Sequence, residues 1–214
     1  MYKFALLFDR KNDWLRQYLS DDFNFREDIN VSNFYEEKEI KEFDVVFVLG
    51  FTRILKKDFL QANDLVLLVH ESNLPLGKGF SPLQWQILEG KNKIVFSLLE
   101  ASEEVDSGDI IEQMECNLDG TELYDEVRSK QAKLTFELIS RFIRNYPNYK
   151  KKKQFGKSTY YRRRKITDSE LDINLPIKDL FPLLRIVNNK DWPGFFRING
   201  VKYIIKIYRE DQNK

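Results

Sequence analysis

Four apolar runs, Lys3–Phe8, Phe43–Leu49, Leu65–Val69 and Ile94–Leu99, punctuate the first hundred residues and alternate with polar or helix-patterned stretches. Continuous apolar runs suit strands buried on both faces, so the pattern predicts βαβ units in a parallel sheet. Ser81-Pro82 offers an N-cap and a first-turn proline for a short helix over Leu83–Leu88, with Gly90 as its stop. Asp119 and Glu122 stand in capping-box spacing ahead of a longer helix. Its apolar positions Leu123, Val127, Leu134, Leu138, Phe142 and Ile143 recur near helical period until Pro147. Beyond it, Leu180–Val187 reads as a short helix, Asp191-Trp192-Pro193-Gly194 as a turn, and Val201–Tyr208 as a strand after the Asn199-Gly200 hairpin signal.

Charge divides the chain where hydrophobicity does not. Between Glu100 and Glu126 lie eleven carboxylates and no Lys or Arg, whereas Lys150 to Lys165 carries nine basic residues and no acid. A boundary near residue 150 follows, giving a main domain over 1–149 and a small C-terminal subdomain with a basic linker over 150–214. The fold class expected is α/β, a Rossmann-like, mostly parallel sheet with a small α+β C-terminal appendage. The totals, 35 basic against 34 acidic residues, supply no global field for nucleic acid.

Composition removes whole classes of chemistry. No apolar run approaches the ~20 residues needed to cross a bilayer, and the short apolar stretch before Asp9 lacks the length of a secretory signal. A cytoplasmic protein with no membrane partner is expected. One cysteine, Cys116, excludes an internal disulfide and a Cys-rich zinc site, and one histidine, His70, excludes a multi-histidine metal centre.

The apolar run Leu65–Val69 leads straight into His70, which places the imidazole at the carboxyl end of a buried parallel strand, where open α/β sheets bind ligands. By position alone a hydrogen-bonded structural histidine is the commoner reading and a catalytic one the alternative. A second run, Ile94–Leu99, leads into the acidic loop Glu103-Glu104-Val105-Asp106-Ser107-Gly108-Asp109, from which a carboxylate could reach a histidine on a neighbouring strand end. An Asx-type turn on a solvated face fits that loop too.

Taken together, His70-Glu71-Ser72-Asn73-Leu74-Pro75, Gly79-Phe80-Ser81-Pro82-Leu83-Gln84-Trp85 and Val105-Asp106-Ser107-Gly108-Asp109-Ile110 resemble the formyltransferase family over roughly residues 43 to 115. That pattern has a histidine followed by Ser-Leu-Leu-Pro or a variant, a Gly-x-x-Pro-x-x-Trp helix start, and an aspartate in Asp-Ser/Thr/Ala-Gly about 36 residues after the histidine. His70 and Asp106 match its two catalytic positions. The loop Phe51, Thr52, Arg53, Ile54 and Leu55 resembles one wall of a folate pocket, and Glu103, Glu104 and Val105 the other. One departure stands out: the family's oxyanion-holding asparagine, two residues before the histidine, is Leu68 here, and Asn73 is the candidate replacement.

The resemblance implies transfer of a formyl group from N10-formyltetrahydrofolate to a primary amine without a metal. His70 would donate to the oxyanion and handle a proton, while Asp106 would orient His70 and draw the proton from the amine. A Gly-rich phosphate loop is missing at Asp9–Trp14, and the residues after Tyr149 are few for a tRNA-binding barrel, so a small-molecule acceptor is expected. The tail resembles nucleotide-sugar N-formyltransferases, and His70–Gly79 resembles those of the pseudaminic-acid pathway, which act on a UDP-linked amino sugar. Lys78, Tyr160, Arg162, Arg163, Arg164, Trp192 and Phe195 are its candidate nucleotide-sugar contacts. Nucleic acid is disfavoured as a partner, and a homodimer is left open. The rival reading is a non-catalytic nucleic-acid- or protein-binding module on the same fold, using the basic stretch.

Overall fold

The computed structural model describes residues 1–19 and 26–210. Strands β1 (Tyr2–Phe8), β2 (Ile29–Phe34), β3 (Val45–Leu49) and β4 (Val66–His70) run parallel in the order β2-β1-β3-β4. After β4 come the two-residue strand β5 (Lys78–Gly79), β6 (Lys93–Glu100) and β7 (Ile110–Asn117). The six-stranded sheet is completed by β6 and β7, both added antiparallel. The expected α/β architecture is present, but the fourth apolar run, in β6, reverses direction. A hydrophobic run encodes burial and carries no information about strand polarity.

Helix α1 (Lys57–Gln61) covers one face of the sheet and α3 (Tyr124–Asn145) the other, while the short α2 (Pro82–Leu88) follows the His70 loop. On the α3 face Phe4, Leu6, Phe47, Phe96, Ile139 and Phe142 form the larger core; on the α1 face Ala5, Leu7, Val46, Val48 and Phe59 form the smaller. Each of these Val, Leu, Ile and Phe side chains removed from water contributes about 1.5–3 kcal/mol. Strand alternation therefore aims Leu68 and His70 at the α1 face and Val69 at the α3 face.

Two capping expectations are corrected. Ser81 precedes α2 with φ +53° and makes no side-chain cap. Helix α3 starts later than expected, with Glu126 accepting the Leu123 amide at 2.9 Å. Glu122 belongs instead to the preceding turn, where it accepts the Asp119 amide at 2.7 Å and pairs, buried, with Arg185 at 2.9 Å.

The chain after α3 is laid back on the sheet. Lys152 bridges Ile110, Lys151 pairs with Glu100 at 2.7 Å, and β8 (Tyr160–Tyr161) runs parallel to β5. Helix α4 (Ile177–Leu184) and the hairpin β9 (Gly194–Ile198) and β10 (Val201–Ile205) follow. Asn199 and Gly200, at φ +51° and +80°, make the hairpin turn that the sequence signals. Among the described residues no helix is long and apolar enough to cross a membrane.

Candidate active site

At the carboxyl ends of β3 and β4 a cleft of about 310 Å³ opens across the edge between the two sheet faces. His70 ends β4, and Asp106 sits in the loop between β6 and β7 at φ +52°. That loop is drawn tight because Gly108 lies against the Glu100 carbonyl, where a Cβ would collide. His70 Nδ1 and Asp106 Oδ2 are 3.4 Å apart, and both side chains are more than nine-tenths buried.

Strand β5 fixes the pair. His70 Nε2 lies 2.7 Å from the Gly77 carbonyl oxygen, and the Gly79 amide donates to Asp106 Oδ2 at 2.8 Å. A carbonyl can only accept, so Nε2 carries a hydrogen and Nδ1 is left to face Asp106. Among the described residues none hydrogen-bonds the second carboxylate oxygen, Oδ1. Gly79 is required as glycine, since a Cβ at its φ of +98° would overlap the Tyr161 carbonyl.

The strand is held in turn from the C-terminal segment. Thr159 Oγ1 accepts the Gly77 amide at 2.8 Å and the Thr159 carbonyl accepts the Lys78 amide at 2.9 Å. Gln154 donates to the carbonyls of Asp106 and Gly108 at 2.7 and 2.8 Å.

The wall on the α1 side is made by Phe51, Thr52, Arg53, Ile54 and Leu55 opposite Ala101, Ser102 and Val105, over Val48 and Leu68. An apolar floor between two loop backbones suits a flat heteroaromatic ring with donors and acceptors along its edge. Glu103 and Glu104 stand outside this slot, correcting their expected place: Glu103 pairs with Lys57 at 2.8 Å and Glu104 accepts from the Tyr160 hydroxyl at 3.2 Å. A carboxylate in the apolar slot would be desolvated, and outward pairing avoids that cost.

Asn73 is also corrected. Its Oδ1 accepts from Gln113 at 3.3 Å, and it lines a separate shallow cavity, not the His70 cleft. No side-chain amide thus replaces the one lost at Leu68 from that position. Lys78 is buried, and its Nζ donates to Ser107 Oγ at 2.6 Å beneath the Asp106 loop.

Of the three consecutive arginines only Arg163 lines the cleft, over the Phe80 ring and donating to the Thr52 carbonyl at 2.8 Å. Neighbours in an extended chain point to opposite sides. Arg162 accordingly forks onto Asp168 at 2.7 and 2.6 Å, and its charge holds that carboxyl down at about 2. Arg164 is turned onto the Asp168 carbonyl at 3.2 Å, and burial lowers its pKa. Tyr160 lines the second cavity. Trp192 and Phe195 lie outside the cleft as well: Trp192 pairs with Asn188, and Phe195, in β9 of the hairpin, is buried.

Sequence reasoning missed the opposite wall. Helix α3 presents Arg128, Gln131 and Thr135 to the cleft, with Trp14 beside them. Their spacing of three and four residues is a polar stripe along a helix whose neighbouring positions are apolar, and that interruption is the signal that could have found them.

The sheet topology and the histidine–aspartate pair at its strand ends agree with a match by sequence: the chain belongs to the formyl transferase family, whose model matches residues 20–143. Among curated relatives, methionyl-tRNA formyltransferase of Rickettsia prowazekii is 31% identical over 170 residues, covering 78% of this chain and 55% of that protein. The chain spans about half the length of the curated relatives it matches. Among solved structures, a methionyl-tRNA formyltransferase from Clostridium thermocellum has a TM-score of 0.81 at 18% identity, covering 100% of this chain and 96% of that one. A 4-N formyltransferase from Francisella tularensis has a TM-score of 0.78 at 17% identity, covering 98% of each chain.

Proposed function

We propose that this protein is an N-formyltransferase that moves the formyl group of N10-formyltetrahydrofolate to the primary amine of a nucleotide-linked amino sugar. The observation that carries the transfer chemistry is the His70–Asp106 pair, buried, fixed by Gly77 and β5, and lining the cleft. The slot between residues 51–55 and 101–105 holds the folate donor.

The amine nitrogen attacks the formyl carbon, giving a tetrahedral oxyanion. Asp106 Oδ1 takes the amine proton and passes it to His70 Nδ1, and the imidazolium so formed donates from Nδ1 to the oxyanion. Collapse breaks the bond from carbon to N10, and the proton passes to N10 through His70. His70 and Asp106 both line the cleft, so the pair meets the reacting atoms there.

A small acceptor is supported by how the basic stretch is spent. Four of the nine basic residues there, Lys151, Arg162, Arg163 and Arg164, bond to this protein's own oxygens, which thins the strip a polyanion would need. The resemblance of His70–Gly79 to pseudaminic-acid pathway formyltransferases makes a UDP-linked sugar the first acceptor to try. A methionyl-tRNA acceptor is the second reading, favoured by the Rickettsia relative.

The test is formyl transfer from N10-formyltetrahydrofolate to UDP-linked amino sugars, to the free sugars and to methionyl-tRNA in parallel. Formylation of a UDP-sugar well above its free sugar is expected. Equal kcat/KM for the two, or transfer to tRNA alone, would overturn the acceptor assignment, and no consumption of the donor with any amine would overturn the transfer chemistry.

A further inference from the structure

The cleft has two sides, and the donor accounts for one. The slot at 51–55 and 101–105 lies on the α1 face, where Phe51, Leu55 and Ala101 pack with the smaller core. Trp14 packs with the larger core, on the α3 face. There the cleft is lined by groups that formyl transfer at His70 does not use.

Arg128 is the charged centre of that side. Its guanidinium carbon stands 4.3 Å from the Trp14 ring centroid and 5.2 Å from that of Tyr124. Nε donates to the Tyr124 hydroxyl at 3.1 Å and Nη1 to Gln131 Oε1 at 2.8 Å. Among the described residues no carboxylate pairs with it, and Nη2 has no protein acceptor. Gln131, buried, spends its other end on Glu71, donating to Oε1 at 2.5 Å. Glu71 directly follows His70 and lines the same cleft. One buried amide thus sets the positions of a cation and an anion along a single wall, the anion nearer the reacting pair.

An arginine stacked on aromatic rings, with its fork held at two nitrogens and free at the third, is pre-organised for a phosphate oxygen. A carboxylate beside the histidine suits hydroxyl or amino groups of a sugar. We propose that Arg128, backed by Trp14, binds the phosphate of the acceptor, while Glu71 takes a sugar hydroxyl or amino group. This rests on the formyl-transfer reading and specifies its acceptor side. It replaces Arg162 and Arg164 as the diphosphate contacts, since both are already engaged.

The experiment measures binding of UDP, inorganic pyrophosphate and a 10-deaza folate analogue by calorimetry to the full chain and to Arg128→Met and Arg128→Lys. UDP and pyrophosphate should bind the wild type, weaken about tenfold or more in Arg128→Met, and weaken in Arg128→Lys because a point charge neither forks nor stacks. The folate analogue should stay within about twofold in both, which also shows that the variants are folded. If Arg128→Met fails to fold, Arg128→Lys carries the comparison. Unchanged pyrophosphate and UDP affinity in the variants, or no binding to wild type, overturns the proposal. Loss of the folate analogue instead would assign Arg128 to the donor's carboxylates and overturn it too. Formylation of a UDP-sugar by Arg128→Met with unchanged acceptor KM would sink the clamp and leave the proposed function standing. Arg128-dependent pyrophosphate binding without formylation of any nucleotide-sugar would do the reverse.

Discussion

Gln154 reaches the Asp106 carbonyl oxygen from 48 residues further along the chain, at 2.7 Å, and the same nitrogen donates to the Gly108 carbonyl at 2.8 Å. The backbone that aims the Asp106 carboxylate at His70 is therefore tethered by a side chain outside the sheet. Gln154 is a positioning residue. Gln154→Ala should lower kcat for formyl transfer about tenfold, as expected from losing buried hydrogen bonds worth about 1–3 kcal/mol, with donor and acceptor KM within about twofold. Equal kcat with a lowered melting temperature would assign it to stability alone.

His70→Asn and Asp106→Asn should each cut kcat by about a hundredfold or more while folate binding survives. Because the two side chains act as one unit, the double variant should be little worse than the worse single one. Two independent losses multiplying in full would separate them.

Thr159 tests the strand beneath the pair. Thr159→Val leaves the Gly77 amide without its 2.8 Å acceptor, whereas Thr159→Ser keeps it. The valine variant should lose about 1–3 kcal/mol of stability and several-fold in kcat, and the serine variant should recover both. Thermal melts and steady-state rates on the two variants decide this.

Acid stability depends on Asp168. Arg162 holds its carboxyl at about 2, below the ordinary 3.8, so the charged form is favoured in the folded state. The stabilisation is complete above the unfolded value and is lost as pH falls from about 4 to about 2. Allowing for the exposed Arg162 guanidinium, it is worth about 1–2 kcal/mol. Asp168→Asn should lower stability at pH 7 and flatten the decline in that window; an unaltered acid limb in urea melts would rule the pair out as its cause.

Much of this was legible in the residues. The runs ending in β3, β4 and β6 predicted strands because side chains buried on both faces leave no other pattern, and His70 was placed at a strand end by the run before it. The edge strand β7 was not, because Ile110–Asn117 mixes Glu and Gln with apolar residues along a half-exposed edge. The meeting of His70 with Asp106 followed only from the motif spacing, since periodicity does not bring two loops together. The contacts proposed for Arg162, Trp192 and Phe195 failed because residue type signals what a side chain can bind but not which neighbour has already claimed it. Arg128 went unnoticed because a charge on a long helix reads as solvated until the sheet it faces is known.

The pairing of β5 with β8 also orders events during synthesis. Every strand of the main sheet, and α3 with it, precedes Thr159 and Tyr161 along the chain, so a nascent protein can bury its core while Gly77 and Gly79 still lack their partner strand. His70 and Asp106 would then sit on a formed sheet without the clamp that aligns them. Chemistry waits for the tail, and a partly made chain has the fold before it has the site.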